Sequence, residues 1–543
     1  MRKKNPSIEN RHAKAHLRMI MMRRLLLLLI MASSICFPTV VAAQKPKTVS
    51  FGFENVEQMA RGLASRPFKM NENEVPAFLR EINYDRWRDI RFKTGNSLWR
   101  AENLPFEVQF FHPGLFYDRL VEINVIDDNG VHPYPYSPDL FDFGNSDFAG
   151  KIPGKFGFAG FRLHYPINRN DYRDEVAVFL GASYFRAVGK QQGFGLSARG
   201  LAIDSGLDSG EEFPYFKKFW LVKPDAGANT VTLYAILDSM SLAGAYKFVV
   251  EPGMSSQIEV TMTLFARKAV QKLGLAALTS MYFYDESTNI PPVDDFRPEI
   301  HDSDGLLLAY PSGEFVWRPL VNFKSLFINA FVMPKILGFG LLQRDLNFDH
   351  YQDLEARYEN RPSAWITPIG DWGPGRVELI QIPTKNEKND NIVAFWSPAQ
   401  ELTPNRPQMY RYRMSWFSSE NGRQHALGYV VATRTAAVGD DKRKVVIDFT
   451  GGRLSTLPTV LPADAPLEPV ISMQGEGEII ESQLYPNVPA NGWRLVFVVQ
   501  RKGRSTLEKM MPAGDNQTSI EMRAHIQQAG QVLTESWSYA IQF

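Results

Sequence analysis

From Ile258 to Leu264 the chain alternates strictly: Ile258, Val260, Met262 and Leu264 are apolar, and Glu259, Thr261 and Thr263 between them are polar. Successive side chains of a strand point to opposite faces, so this period of two belongs to a strand with one buried and one wetter side. Similar strand-length runs occur at 176–179, 231–237, 246–250 and 377–382, punctuated by Gly, Pro, Asn and Asp. Repeated short strands without intervening helical periodicity predict sandwiches rather than a helix-covered parallel sheet. Helical signals gather near residue 55. Asn55 and Gln58 have capping-box spacing, Val56, Met59, Ala60 and Leu63 share one helical face, and Arg66-Pro67 ends the segment. A second short helix after Pro76 carries Phe78, Leu79 and Ile82.

With 543 residues, one core is too few, and two domains are expected after a leader. Residues 1–43 have the layout of a signal peptide: basic residues up to Arg23-Arg24, an apolar run from Leu25, and Val41-Ala42-Ala43 before a cut at Gln44. Ser33, Ser34 and Pro38 interrupt the run, which argues against a membrane anchor. The general and the twin-arginine export routes both fit. Residues 44–423 are assigned to a large β-sandwich and 424–543 to a smaller immunoglobulin-like sandwich with strands near 444–449, 493–499 and 537–541. Ser418–Arg423 is the preferred boundary. Pro398–Pro407 is the rival, although the alternating Tyr410, Tyr412, Met414, Trp416 strand after it could complete the large domain.

The only cysteine, Cys36, lies in the leader, so the mature chain has no disulfide, thiolate metal site or cysteine nucleophile. Cleavage leaves 52 basic and 58 acidic side chains, a net charge of about −6, and nothing that favours nucleic acid as a partner. No cofactor is expected. Gly193-Phe194-Gly195 lacks the rest of a dinucleotide fingerprint, and no serine-nucleophile pentapeptide occurs. Asp302-Ser303-Asp304-Gly305 lacks the third oxygen position and terminal Glu of a calcium loop, so no metal is expected there.

Residues 294–396 concentrate acids, aromatics and turn residues: Asp294–Gly305, Phe339–Asp345, Asp349–Tyr358, Arg361–Trp365, Gly370–Gly373 and Asn386–Trp396. Flat aromatic faces and hydroxyl-binding carboxylates suit a saccharide cleft, and glycoside hydrolysis needs two carboxyl groups across the scissile bond. The competing reading is that these acids cap turns or pair with Arg297, Arg344, Arg357 and Arg361, and that Trp365, Trp372 and Trp396 are core residues.

At these loops, and at Phe111–Gly114, Ser197–Ile203, Gly210–Pro214 and Phe219-Trp220, the sequence resembles the periplasmic glucan biosynthesis G/D family over nearly the whole mature chain. The arginine pair of the leader leans slightly toward the D branch. The resemblance implies a periplasmic protein with a galactose-mutarotase-like N-terminal β-sandwich and an immunoglobulin-like C-terminal domain. It would act on β-1,2-linked glucan, beside an inner-membrane glucosyltransferase, as an inverting glucanase or a transglycosylase. Asp390 would be the general acid and Asp302 the general base, with Glu387 and Tyr358 alongside and Asp304 as a substitute for Asp302. Further substrate contacts are assigned to His301, Arg357, Trp372 and Trp365. The alternative is a non-catalytic glucan-binding scaffold for the synthase, and a homodimer fits either role. The family's polar loop is replaced here by the apolar Ile328–Leu337, which could reshape one end of the cleft or contact a partner.

Overall fold

A computed structural model describes residues 51–70, 74–288, 294–502 and 519–543. The leader, its cut at Ala43-Gln44 and Cys36 lie outside the described residues. Residues 51–543 form one compact unit. No helix among the described residues is long and apolar enough to cross a membrane.

The architecture is all-β and built of stacked sheets. A ten-stranded antiparallel sheet runs in space through 107–111, 160–165, 174–180, 184–187, 197–199, 273–280, 392–398, 375–381 and 327–333, with 202–203 pairing onto 273–280. A fifteen-stranded sheet faces it, with the strand Ser256–Ala266 between Leu242–Glu251 and Gln408–Phe417. The alternating Tyr410–Trp416 segment is thus an interior strand of the large sheet. Ile258, Val260, Met262 and Leu264 enter the core between the two sheets together with Phe179, Phe185, Phe248 and Trp396. Their burial supplies the main drive for stacking the sheets.

The other face of Ser256–Ala266 is drier than the alternation predicts, because a helix covers its end. Thr263 and Phe265 are buried beneath Phe53–Ala64, and the Thr263 hydroxyl donates to Glu57 Oε1 at 2.7 Å. Val56 and Ala60 of the helix pack against Trp220, Ile236 and Ala245. The cap lies three residues before the expected one. Gly52 is the N-cap and Asn55 sits inside the first turn, where its Oδ1 accepts from Gly52 N at 2.8 Å.

Ile328–Leu337 is chiefly strand. Phe327–Met333 forms one edge of the ten-stranded sheet, with Ile328, Ala330 and Val332 exposed on its outward face.

The C-terminal residues form a second sandwich. A four-stranded sheet in the order 429–437, 442–450, 492–501, 477–487 shares a core with the strands Ser519–Gln528 and Ser536–Gln542 through Ile447, Phe497, Met522 and Trp537. Ser536–Gln542 also runs parallel to Phe315–Pro319, so the C-terminal strands extend the fifteen-stranded sheet. At this seam Glu535 is fully buried. It pairs with Arg344 at 2.6 and 3.0 Å, contacts His425 Nε2 at 2.9 Å and accepts from Val430 N at 2.9 Å. Burial alone pushes its carboxyl up, but Arg344 and the His425 contact outweigh that and bring it down to about 2.

Removing one partner from a buried, hydrogen-bonded pair leaves an uncompensated charge, so Glu535→Ala is expected to cost about 3–5 kcal/mol in denaturant unfolding. Because the folded carboxyl lies below its ordinary value of 4.5, its stabilisation is complete above pH 4.5 and is lost as pH falls toward 2. Acid titration of the wild type, set against Glu535→Ala, should show this contribution disappearing in that window.

Candidate active site

Two distant loops are tied to three consecutive residues. The strand Leu273–Ser280 ends at Ser280, whose carbonyl accepts from Asn391 N at 3.1 Å. Met281 O accepts from Asp302 N at 2.8 Å, and Tyr282 N donates to Asn391 Oδ1 at 2.8 Å. Asn391 also closes its own loop, since its Nδ2 donates to Ile382 O at 3.0 Å and its carbonyl accepts from Ile382 N at 2.8 Å. Asp302 and the residue preceding Asn391, Asp390, therefore flank the one-residue break at Met281 between the strands Leu273–Ser280 and Tyr282–Tyr284, although they belong to separate loops.

The site opens on the outward face of the ten-stranded sheet. Phe185, Ala187, Ala198 and Leu278 point into the core, so the alternate residues Tyr184, Arg186, Arg199 and Thr279 point away from it. Ala277, Ile380, Val393 and Phe395 make a small apolar floor on that face.

Asp302 is buried and forms an ion pair with Arg361. Arg361 also lies 4.4 Å over the Tyr358 ring. Burial raises the Asp302 carboxyl to about 6; Arg361 opposes the rise and the negative charge of Asp390 adds to it. Asp390 is exposed, yet protein surrounds much of it. That environment raises its carboxyl above the ordinary range, against a hydrogen bond with Thr279 and the charges of Arg199, Arg186 and Arg361. Tyr184 is held near this group, with Arg199 5.1 Å over its ring.

The remaining expected residues divide into supports and outliers. Gln343 is a fully buried hub. Its Nε2 lies within 3.0–3.1 Å of the carbonyls of His301 and Tyr358 and the Tyr351 hydroxyl, and its Oε1 meets His301 Nδ1 at 3.0 Å. His301 has no exposure and meets Glu299 at 3.1 Å through Nε2. Burial disfavours its charge, but the carboxylates of Asp304, Glu299 and Asp285 overcome this and push it up to about 10. His301 is a buried cation behind the site, out of reach of a bound chain. The Asp304 carboxyl is pushed up to about 6 by burial, although His301 and the backbone amides of Arg344 and Asp345 hold it. Its bonds face the Arg344 turn.

Glu387 meets Arg297 at 2.7 Å, a guanidinium it shares with Asp295 and Asp353, and its charge reaches Tyr358. Arg357 is exposed in a left-handed conformation and pairs with Glu359. The two tryptophans are packed elsewhere. Trp372 donates to Arg411 O at 3.2 Å and packs edge-on against Tyr410 and Tyr412. Trp365 lies across Gly338 and Gly340, where a Cβ would collide with its ring. Ala364 and Ile366 on either side of it enter the core between the sheets, so Trp365 points the other way, into the C-terminal core.

Residue type draws attention to carboxylates and aromatics, and Arg361 enters that reading only as an ion-pair partner. Arg186, Arg199, Tyr184 and Thr279 escape it altogether. The available signal is their parity: polar residues alternating with core residues in strands that are otherwise buried. A cation could be held by Glu299, Asp345 and His350, whose ligand atoms lie within 4.8 Å of one another. There Glu299 already contacts His301 and Asp345 already contacts His350, so those bonds would have to be exchanged for ligation.

Comparison with known proteins places this geometry in context. Residues 51–541 match the family model described as periplasmic glucan biosynthesis protein, MdoG. The chain is 43% identical over 509 residues to a protein of Ralstonia nicotianae named glucans biosynthesis protein G, covering 92% of this chain and 97% of that protein. Proteins of the same name from Bradyrhizobium diazoefficiens and Rhodopseudomonas palustris are also 43% identical, over 508 and 504 residues, each match covering 92% of this chain and 95% of the relative. The comparisons do not separate the G and D branches.

Asn391→Ala removes the buried side chain that ties its own loop to Tyr282. Leaving the buried Tyr282 amide without a partner should cost about 1–3 kcal/mol. Thermal unfolding should therefore show a clear loss of stability, with faster proteolytic cutting between Pro383 and Asp390.

Proposed function

The chain belongs to the periplasmic glucan biosynthesis family, and on that premise we propose that it cleaves or transfers β-1,2-linked glucan chains by an inverting mechanism. Membership carries a role in glucan biosynthesis; the reaction is our reading. It rests chiefly on one observation: two separate loops, carrying Asp302 and Asp390, are anchored through Asp302 N and Asn391 on Ser280–Tyr282, each carboxyl is raised by its surroundings, and the charge of Asp390 acts on Asp302.

An inverting glycosidase places an acid and a base roughly 6.5–9.5 Å apart, with water between them. Asp390 is the general acid. It is exposed on the outward face, and its surroundings favour the protonated form relative to an ordinary carboxylate, the form that hands a proton to the departing glycosidic oxygen. Asp302 is the general base, oriented by Arg361. With its carboxyl near 6 it is ionised at neutral pH yet basic enough to take a proton from water. Tyr358 and Glu387 lie beside the pair and bind the chain, and Arg199, Arg186 and Tyr184 extend the polar surface along the outward face. His301, Gln343 and Asp304 position these groups. Export to the periplasm, division of the mature chain at 423, a working contact with a membrane glucosyltransferase and a homodimeric state belong to the same proposal.

Purified mature protein should shorten or transfer linear β-1,2-glucan. Asp390→Asn keeps the shape but removes the transferable proton, and should abolish turnover while leaving glucan affinity and melting temperature near wild type. Asp302→Asn should behave alike. Since the base must be ionised, turnover should fall as pH drops through about 6. Since the acid must be protonated, it should also fall on the alkaline side, giving a bell whose limbs report the coupled pair. Unchanged chain length despite measurable binding would instead mark a glucan-binding scaffold, and near-wild-type turnover by Asp390→Asn would overturn the acid assignment.

A further inference from the structure

A second cleft, of about 980 Å³, lies beside the Phe53–Ala64 helix, and none of the groups around the aspartates lines it. Its walls are fixed by packing. Arg267 donates to the carbonyls of Leu63 and Arg66, each at 2.9 Å, and lies 5.8 Å from the Phe68 ring, holding residues 66–70 as one wall. Tyr134 and Tyr136 stand on another wall. Tyr134 stacks on Phe110 at 4.8 Å, and the Tyr136 hydroxyl meets His112 Nε2 at 2.8 Å. The volume is at the upper end of ordinary ligand sites, and walls already ordered reduce the entropy lost on binding.

The lining combines ring faces with an excess of cations. Lys217 and Lys218 are paired with Asp238 and Glu122 at 3.3 and 2.5 Å. Arg119 lies 5.4 Å over Tyr215, and its carboxylate neighbour, Asp118, is 3.9 Å away. Among the described residues, no carboxylate lies within ion-pair distance of Arg66, Lys69 or Lys155. Among the described residues the Tyr215 hydroxyl is buried without a hydrogen-bond partner, a cost that a ligand oxygen would remove. Aromatic faces suit sugar rings, the unpaired hydroxyl suits a sugar oxygen, and the uncompensated cations call for negative charge.

We propose that this cleft is a second carbohydrate site, which binds a segment of glucan bearing anionic groups. The saccharide class rests on the glucan reading above; the anionic preference rests on the cleft itself. A chain held here is anchored apart from the reacting bond, so charged glucan is retained independently of turnover at the aspartates.

Calorimetry on the mature Asp390→Asn protein separates the two readings, using neutral linear β-1,2-glucan, the same glucan after partial succinylation, and inorganic phosphate. Succinylated glucan should bind about tenfold tighter than neutral glucan at low salt, with the advantage shrinking as ionic strength rises. Adding Lys69→Ala and Lys155→Ala, both at exposed positions, should remove that advantage without changing the melting temperature. Equal affinity for the two glucans, or an advantage that survives both substitutions, would overturn the proposal. Phosphate displacing succinylated glucan at the same concentration as neutral glucan displaces it would overturn the saccharide assignment. Failure of the glucan reading shows differently: wild-type protein would neither bind nor process neutral glucan.

Discussion

The structure depends on one apolar layer shared by two large sheets. Strands of period two can bury only one face each, and here the buried faces of the ten- and fifteen-stranded sheets meet in a single core containing Phe179, Phe248, Met262 and Trp396. Once that face is committed, every alternate residue is turned outward. Helix Phe53–Ala64 covers a portion of one outward face, the four-stranded C-terminal sheet completes a second core, and the outward face of the ten-stranded sheet is left to carry polar chemistry. The candidate site follows from what the core does not use.

Electrostatics then sorts the carboxylates. Most of those around residues 285–390 are given a dedicated counter-charge or amide: Glu299 meets His301, Asp295 and Asp353 share Arg297, and Asp304 takes two backbone amides. Charges taken out of water need such partners, and each of these pairings fixes a loop rather than freeing a reactive group. Asp390 differs. Among the described residues it has no ion-pair partner within 4 Å, and the Arg199, Arg186 and Arg361 charges act on it from farther away. Asp302 is intermediate, since its Arg361 partner only partly offsets burial and the charge of Asp390. Burial also raises Asp285, Glu286 and Asp304, so what distinguishes this pair is its place: Asp390 is exposed on the outward face and its charge acts on Asp302.

The seam between the two sandwiches uses the opposite strategy. Glu535 is compensated by Arg344, His425 and a backbone amide, and Arg344 also lies 3.6 Å over the Trp317 ring. Arg344 belongs to the segment whose amides hold Asp304, and Gln343 beside it carries His301 and Tyr358. One dipeptide thus links the C-terminal sandwich to the supports of the site. This continuity ties the C-terminal sandwich to the large one within a single compact unit.

Local order was legible in the chain itself. The alternation of Ile258–Leu264 and its counterparts specified strands, and the helical face of Val56 and Ala60 specified the covering helix. These are short-range properties, set by backbone geometry over a few residues. The motif resemblance singled out Asp302 and Asp390, but no local signal could bring them together. Their neighbourhood required the strand Leu273–Ser280 to end at a break, Ser280–Tyr282, that both loops could bond. Nor could residue type tell that Trp365 and Trp372 are packed away from the aspartates while Arg199 and Arg361 approach them, because an indole or a guanidinium suits core and cleft alike. Composition and periodicity determined what the segments are. Only the stacking of the sheets decided which outward-facing residues share one surface, because that depends on contacts between strands far apart in the chain.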